Sequence, residues 1–257
     1  MSRDNELLGP IVRAFRLVEA LADSPRPLTG KEISDQQDLP PSTVHRLLQI
    51  LSRIEIVERA DDGQRYAPGP SLYRIAYATI RKSDLTERAQ PFIQDVVNQL
   101  DITSMFWTLI RSKRLVIPTA KILSSHSLDF QETSFMPRGL AWGCVGRSVL
   151  AYLPEVIVAE VHAAAKLSPT GRRMESLRAL KAGLAEIRAD GYAFSSEQTI
   201  EQAVGFAAPV FDHRGEVIGC IGGTMPKLRY DPKDKVPMLE TVRRGAQALS
   251  EALGCRP

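Results

Sequence analysis

Four polar side chains spaced along residues 42–54 could hydrogen-bond to the edges of nucleic-acid bases. Wound as a helix at about 100° per residue, the segment carries on one face Ser42, Arg46, Gln49 and Arg53. Its opposite face is apolar and consists of Val44, Leu47, Leu48 and Leu51. Arginine can make bidentate hydrogen bonds to guanine and glutamine to adenine in the major groove, and serine can bind phosphates or bases. The spacing therefore favours a helix that reads DNA, although many amphipathic helices expose such residues simply to solvent.

The candidate DNA contacts extend beyond this face to the preceding turn and to a following hairpin. They are Thr29, Ser42, Thr43, His45, Arg46, Gln49, Arg53 and Arg65. No acidic residue lies between Leu39 and Ile54, so the basic residues of the segment have no acidic neighbour in sequence. The formal net charge of the whole chain is only +3 and neither demands nor excludes a nucleic-acid partner. The local arrangement of charge, rather than its sum, therefore supports the prediction.

Three helices and a hairpin are predicted around these residues. Residues 11–22 place apolar side chains at helical spacing. Thr29 begins a capping box, which predicts that a second, short helix starts there. The helix over 42–54 follows a turn with two prolines, and residues 57–66 predict a hairpin whose turn is residues 61–63. This order of elements is that of a winged helix-turn-helix.

The rest of the chain predicts a linker helix and a separate mixed domain. From Ser104 onward, strand-like runs alternate with helical ones without a regular βα repeat. Helices are predicted over 85–100, 146–165, 174–190 and 233–253. The predicted fold class is α+β, with an N-terminal winged helix-turn-helix, a linker helix, and a C-terminal antiparallel sheet domain with flanking helices. The corresponding boundaries are 1–70, 71–83 and 84–257.

The composition excludes several other classes of protein. The chain of 257 residues is 44% hydrophobic and 25% charged, which is typical of a globular protein. No run approaches the roughly 18 apolar residues of a membrane helix, and the charged first residues do not resemble a signal peptide. We therefore expect a cytoplasmic protein without a membrane partner. Three widely spaced cysteines, Cys144, Cys220 and Cys255, show no zinc or disulfide pattern, so we expect no metal and no cofactor.

No catalytic residue is predicted. The histidines lie in no G-x-S-x-G or Cys-His context. Residues 143–148 resemble the end of a phosphate loop, but Ala141 and Arg147 stand where that motif requires Gly and Lys. A helix amino terminus at Gly146 that binds an effector anion is the alternative interpretation of this segment.

Five short motifs, in one order over nearly the whole chain, give it a resemblance to a known family. They are residues 41–48, 66–69, 146–151, 187–193 and 207–212. On these motifs the chain resembles the IclR family of bacterial transcriptional regulators. The resemblance implies a winged helix-turn-helix, a linker helix, a GAF-like effector-binding domain, and homodimers or homotetramers on DNA. Glu55 departs from the family, which usually has glycine after the recognition helix.

The resemblance also implies an effector pocket in the second domain. With the helix amino terminus included, the candidate contacts are Gly146, Ser195, Ala203, Gly205, Gly222 and Thr224. The family's usual acidic residue is Ser195 here and its paired serines are Gly222 and Thr224, so we expect a larger or more apolar effector than a small carboxylate. Glycines inside strands mark a nearby ligand or a simple bend equally well. Aromatic lining could come from Phe106, Trp107, Phe135 and Trp142, although aromatic residues in strands more often belong to the core.

Two functions remain open on the sequence. The first is a sequence-specific transcriptional regulator that binds double-stranded promoter or operator DNA and is modulated by a small-molecule effector, a catabolic-pathway metabolite. The second is a small-molecule-binding enzyme with an accessory winged helix for protein contact. The first predicts that replacement of Arg46 removes specific DNA binding, and the second predicts turnover without DNA binding.

Overall fold

A computed structural model describes residues 9–60, 63–81, 84–126 and 136–255. The chain divides into two compact units between Ser83 and Asp84. The predicted turn residues 61 and 62, the predicted end of the linker helix at 82 and 83, and Phe135 lie outside the described residues. Within the described ranges, no helix is long and apolar enough to cross a membrane, and no group of three or more His, Cys, Asp or Glu side chains could hold a metal ion.

The first unit combines helices with a small antiparallel sheet. In chain order the described elements are α1 Pro10–Asp23, β1 Leu28–Thr29, α2 Gly30–Gln37, α3 Pro41–Arg53, β2 Val57–Arg59, β3 Arg65–Pro68 and α4 Pro70–Arg81. The strand order is β1-β3-β2, and Thr29 lies opposite Arg65. The predicted winged helix-turn-helix is confirmed. Strand β1 escapes prediction because two residues are too few to show an alternating pattern.

A single apolar core holds α1, α2 and α3 together, and it includes Leu17, Leu21, Ile33, Val44, Leu47, Leu48 and Leu51. The turn between α2 and α3 passes through Asp38, which has a left-handed φ of 51°. The Ser34 hydroxyl closes this turn by donating to the carbonyl oxygen of Leu39 at 2.6 Å. Pro41 occupies the first helical position, where an amide would have no intrahelical partner. These contacts fix the residue at which α3 begins.

The chain leaves α3 through a second left-handed residue, Glu55, whose φ is 58°. The Glu55 carbonyl oxygen accepts a hydrogen bond from the Ser71 N–H at 2.9 Å, and the Gly69 N–H donates to Ile56 at 2.9 Å. The departure from the family's glycine therefore leaves the left-handed turn in place. The cost is that a residue with a Cβ is held in a conformation that glycine adopts more readily.

We expect Glu55→Gly to stabilise the first unit by up to about 1 kcal/mol, because it removes the Cβ from a left-handed position while adding some freedom to the unfolded chain. Hydrogen exchange of the α3 amides measures the free energy of opening in this unit. Glu58→Gly, at an exposed position of extended strand β2, is the matched control and should destabilise the unit. A loss of protection with Glu55→Gly would contradict the assignment of strain to Glu55.

The second unit is built on an antiparallel sheet with helices on both faces. Its described elements are α5 Asp84–Leu100, β4 Thr103–Ile110, β5 Leu115–Ile122, β6 Arg138–Gly139, α6 Gly143–Leu150, α7 Glu155–Ala164, α8 Leu177–Asp190, β7 Ala193–Ser196, β8 Ala203–Phe211, β9 Val217–Pro226 and α9 Lys235–Ala252. The strand order is β6-β5-β4-β9-β8-β7, with antiparallel neighbours throughout. The predicted α+β fold is confirmed.

The sheet of the second unit separates two apolar cores. Phe106 and Phe206 point into the core that also contains α5 and α9. Their neighbours Trp107 and Ala207 point into the opposite core, which contains α6, α7 and α8. Successive residues of a strand face opposite sides of a sheet, and strands β4 and β8 are buried on both sides. Each face of the sheet is therefore covered by its own layer of helices.

The single helix predicted over 146–165 is instead two helices, α6 and α7. Pro154 lies between them and is the N-cap residue of α7, where a missing N–H leaves no intrahelical hydrogen bond unmade. Helix α6 begins at Gly143, three residues before the predicted amino terminus at Gly146. Gly143 has a φ of 74°, and a Cβ there would lie 2.8 Å from Cγ2 of Thr199. Glycine thus permits this early start.

Candidate DNA-recognition helix and effector cleft

Helix α3 separates its apolar and polar side chains as the sequence predicts. The buried side chains are Val44, Leu47, Leu48 and Leu51. Of the predicted DNA contacts on this helix, Ser42, His45, Arg46, Gln49 and Arg53 are exposed and Thr43 is half-buried. The apolar Ile50 is also 49% exposed. Because the leucines join the core around Leu17 and Ile33, the opposite, polar face of α3 is directed to solvent.

The polar face of α3 carries two arginines, Arg46 and Arg53, whose charge no described acidic side chain pairs with. In the part of the chain that the structure describes, the side chains of Arg46, Gln49 and Arg53 take part in no hydrogen bond or ion pair. The first turn of α3 contains no acidic residue. Guanidinium and amide groups in this state can bind base edges without first breaking an internal contact.

Thr29, another predicted DNA contact, starts helix α2. Its hydroxyl accepts a hydrogen bond from the Glu32 N–H at 3.2 Å and donates to Glu32 Oε2 at 2.9 Å. The same carboxylate oxygen accepts from the Thr29 N–H at 2.7 Å. The predicted capping box is confirmed. A direct DNA contact by Thr29 stays a prediction, and it would compete with this structural role.

The capping box makes the stability of α2 depend on pH. The Arg26 guanidinium donates to Glu32 Oε1 at 2.6 Å and, with the hydrogen bonds from Thr29, lowers the pKa of Glu32 from 4.5 to about 2. Since the folded pKa lies below the unfolded value, this contribution is present above about pH 4.5 and is lost as the pH falls toward about 2.

We therefore expect the hydrogen-exchange protection of the α2 amides, corrected for intrinsic exchange, to fall as the pH is lowered through this interval. Glu32→Gln should lower the protection at neutral pH and make it nearly independent of acid, because the neutral amide cannot lose a proton there. Wild-type and variant curves that run parallel would show that Glu32 is not the titrating group.

The wing formed by β2 and β3 carries two arginines in different environments. The Arg59 guanidinium lies 5.4 Å from the centroid of the Tyr66 ring and donates to the carbonyl oxygen of Gly63 at 2.9 Å. Arg59 is thus held against the wing itself. Arg65 is exposed at the start of β3, where the sequence predicts a DNA contact.

Four of the six predicted effector residues lie together in the second unit. Ser195 of β7 is paired with Gly205 of β8, which is paired in turn with Thr224 of β9. These three residues and Ala203 line one cleft beside the amino end of α6. We call it the effector cleft.

The other two predicted effector residues, Gly146 and Gly222, do not line this cleft. A Cβ at Gly146 would lie 2.7 Å from the carbonyl oxygen of Gly139, and a Cβ at Gly222 would lie 2.8 Å from Cγ2 of Val145. Both glycines therefore allow α6 to pack closely against β6 and β9. This packing is a sufficient physical reason for glycine at each position.

Two side chains outside α6 bind its first amides. The Gly143 N–H donates to Gln198 Oε1 at 3.0 Å, and the Cys144 N–H donates to the Ser195 hydroxyl at 3.1 Å. The N-cap residue, Trp142, supplies no side-chain hydrogen bond of its own. The sequence pointed to Ser195 but not to Gln198, because Gln198 lies in an irregular segment and no motif links it to α6.

Aromatic residues form part of the cleft wall, each beside an arginine. Trp107 and Trp142 line the cleft. The guanidinium of Arg138 lies 5.5 Å from the Trp107 ring centroid, and that of Arg147 lies 5.6 Å from the Trp142 ring centroid. Phe106, which the sequence also suggested, is fully buried in the core on the other face of the sheet and does not reach the cleft.

The enclosed part of the effector cleft is small, about 30 Å³. This is room for about two water molecules, whereas a cavity that holds a benzene ring measures about 150 Å³. The expectation of a larger or more apolar effector therefore gains no support from the cleft volume. In this conformation, a ligand of the size of an aromatic acid requires the walls to move.

Two buried cysteines, one that lines the cleft and one in the adjoining core, have thiols of low reactivity. Cys144 and Cys220 are 4% and 0% exposed. Burial raises the pKa of both thiols. Since the thiolate is the nucleophilic form, neither residue is activated for covalent chemistry at neutral pH.

Comparison with known proteins identifies the family. The model described as "Bacterial transcriptional regulator IclR C-terminal" matches residues 77–251, and the model described as "IclR helix-turn-helix domain" matches residues 10–61. The HTH-type transcriptional regulator BhcR of Paracoccus denitrificans is 29% identical over 262 residues, which cover 99% of this chain and 91% of that protein.

Solved structures show the same fold. An IclR transcriptional regulator from Alicyclobacillus acidocaldarius matches with a TM-score of 0.83 at 20% identity, over 96% of this chain and 99% of that chain. An IclR homolog from Microbacterium hydrocarbonoxydans, solved with 4-hydroxybenzoate, matches with a TM-score of 0.78 at 22% identity, over 95% of this chain and 99% of that chain. Since the C-terminal family model alone spans more than half of the sequence, the chain belongs to the IclR family of bacterial transcriptional regulators.

Proposed function

We propose that this regulator binds promoter or operator DNA through the polar face of α3 and the wing. The observation that carries the proposal is the exposed, acid-free face on which Arg46, Gln49 and Arg53 have no partner among the described residues. We assign Arg46 and Gln49 to base edges in the major groove, where each can make bidentate hydrogen bonds. Phosphate or flanking contacts are assigned to Ser42, Thr43, His45, Arg53 and Arg65.

We further propose that three segments of the chain have separate functions. Residues 1–70 bind DNA, residues 71–83 form a linker helix, and residues 84–257 bind the effector. The protein would act in the cytoplasm as a homodimer or homotetramer, so that two recognition helices meet two half-sites of one operator.

The effector cleft is the proposed binding site for a small metabolite of a catabolic pathway. Its wall provides hydroxyl groups from Ser195 and Thr224, the amide of Gln198 and two tryptophan rings. The related Microbacterium hydrocarbonoxydans protein was solved with 4-hydroxybenzoate, which supports a small-molecule site in this family. If ligand and DNA are coupled, each changes the other's affinity by the same factor, typically about 5-fold to 150-fold.

A gel-shift experiment with the DNA upstream of the protein's own gene tests the proposal. We expect a retarded complex that unlabelled specific DNA displaces better than scrambled DNA, and whose affinity changes with one compound of a panel that includes glyoxylate and 4-hydroxybenzoate. The same panel is assayed for turnover. If the protein converts one of the compounds but shows no sequence preference for DNA, the result would instead favour an enzyme with an accessory winged helix.

A further inference from the structure

We propose that residues 197–202 form a hinged cover over the effector cleft, and that Lys227 and Thr170 are positioning residues that hold this cover shut. The inference rests on the proposed role of the cleft in effector binding. The cover joins the end of β7 at Ser196 to the start of β8 at Ala203. Its residues 197–200 line the cleft.

Both ends of the cover are held in a strained backbone conformation. Glu197 has a φ of 52° and Gln202 has a φ of 54°, although neither is glycine. Hydrogen bonds maintain both ends, since the Glu197 N–H donates to Ala203 and the Lys227 N–H donates to Gln202, each at 2.8 Å. Non-glycine residues persist in this region only where their surroundings impose it. We assign the hinges of the segment to these two positions, because backbone strain of this kind clusters at ligand clamps and switch regions.

The inner side of the cover closes against the amino end of α6. The Gln198 amide oxygen accepts the Gly143 N–H at 3.0 Å. The methyl group of Thr199 packs so closely on Gly143 that a Cβ there would lie only 2.8 Å away. With the cover in this position, the enclosed space of about 30 Å³ admits only water-sized molecules.

The outer side of the cover is anchored by two side chains from elsewhere in the second unit. Lys227 Nζ binds Glu197 Oε2 at 2.6 Å, and this contact lowers the pKa of the Glu197 carboxyl. The Thr170 hydroxyl points at the carbonyl oxygens of Glu197 and Gln198, at 2.7 and 3.2 Å. Each anchor is weak enough to break and reform, as exposed ion pairs and single hydrogen bonds are. An effector larger than the enclosed space would enter when they open.

The protein contains its own reporter of this opening. Cys144 lines the cleft behind the cover and is 4% exposed, and its Sγ lies close to Gly205 of the same cleft. Iodoacetamide is larger than the enclosed space of about 30 Å³, so we expect it to alkylate Cys144 much faster when the cover opens. Cys220 is fully buried in the same core and does not line the cleft. The ratio of the two labelling rates therefore separates opening of the cover from loosening of the whole unit.

The experiment measures alkylation of each cysteine by iodoacetamide, resolved by peptide mass spectrometry, in the full-length protein. We expect Lys227→Ala and the isosteric Thr170→Val each to accelerate labelling of Cys144 about threefold, and the double variant about tenfold, with Cys220 unchanged. Lys227→Arg, which retains the charge, should restore a rate near that of the wild type.

Lys181→Ala is the matched control, because it removes a comparable surface ion pair, with Glu155 at 2.7 Å, away from the cleft. It should leave the Cys144 rate as in the wild type. An unchanged rate of Cys144 alkylation in the double variant would contradict the proposed cover, and so would equal acceleration of Cys144 and Cys220. Failure of the proposed function is a separate result, since it would appear as the absence of any ligand effect on DNA binding by the wild-type protein.

Discussion

Arg46→Ala is expected to weaken binding to the specific operator by about tenfold to a hundredfold while changing non-specific binding far less. Arg46 is exposed on the polar face of α3 and has no partner among the described residues, so its guanidinium is available for a guanine edge. A bidentate contact of this kind is worth about 1 to 3 kcal/mol of discrimination between bases. The loss should therefore appear in the ratio of specific to non-specific affinity.

Fluorescence anisotropy at several salt concentrations distinguishes this role from a phosphate contact. Loss of a phosphate contact weakens all DNA about equally and reduces the salt slope by about 0.9. Arg178→Ala is the matched control, because Arg178 is exposed on α8 in the second unit and its loss changes the net charge equally. If Arg46→Ala left the specificity ratio at its wild-type value, Arg46 would not be a base contact.

Gly69→Ala is expected to destabilise the first unit by at least about 2 kcal/mol and to weaken DNA binding with it. A Cβ at Gly69 would lie 2.4 Å from the carbonyl oxygen of Glu55 and 3.0 Å from the carbonyl carbon of Val57. These are backbone atoms of the turn that joins α3 to the wing, so they cannot rotate away as a side chain would. Overpacking that moves backbone costs about 1 to 3 kcal/mol or more.

The matched control for Gly69→Ala is Gly30→Ala in the same unit. A Cβ at Gly30 meets only Cδ1 of Leu48 at 3.8 Å, an ordinary contact, and the position is the first of helix α2. The hydrogen-exchange protection of the α3 amides should therefore fall sharply with Gly69→Ala and stay near the wild-type value with Gly30→Ala. Equal protection in the two variants would mean that the backbone of the turn after α3 can shift to accept the added Cβ, contrary to this prediction.

The recognition helix could be derived from the sequence because its two faces follow directly from helical periodicity. Leu47 and Leu48 must be buried if the helix packs at all, and this directs Arg46 and Gln49 outward. The capping box at Thr29 was predictable for a similar reason, since both of its partners lie within one turn of chain. Features set by local spacing were therefore accessible without any structure.

Features that depend on contacts between residues far apart in the chain could not be predicted from the sequence in this way. Glycine in a strand signals close approach but not what approaches, so Gly205 beside the cleft and Gly222 beneath α6 look alike in sequence. Glu55 shows the same limit, because hydrogen bonds and packing at the wing hold it left-handed against its local preference. Gln198 reaches α6 only through the folded sheet.

The size expected for the effector illustrates how a position-by-position comparison can mislead. The residues at Ser195, Gly222 and Thr224 predict a larger or more apolar ligand, yet the enclosed space is about 30 Å³. In the proposed mechanism, the cover formed by residues 197–202 limits this volume. A comparison of single pocket positions with the family does not show the effect of the cover. The accessible volume after opening, rather than the resting volume, would then decide which molecules fit.

The most direct test of the regulator as a reader of DNA sequence is its specificity ratio. The affinity for DNA upstream of its own gene is compared with that for a scrambled duplex of equal length, by anisotropy at physiological salt. We expect the specific duplex to bind at least about a thousandfold more tightly, as is typical of sequence-specific regulators. Equal affinities for the two duplexes, at every salt concentration and with every effector tried, would contradict sequence recognition by α3.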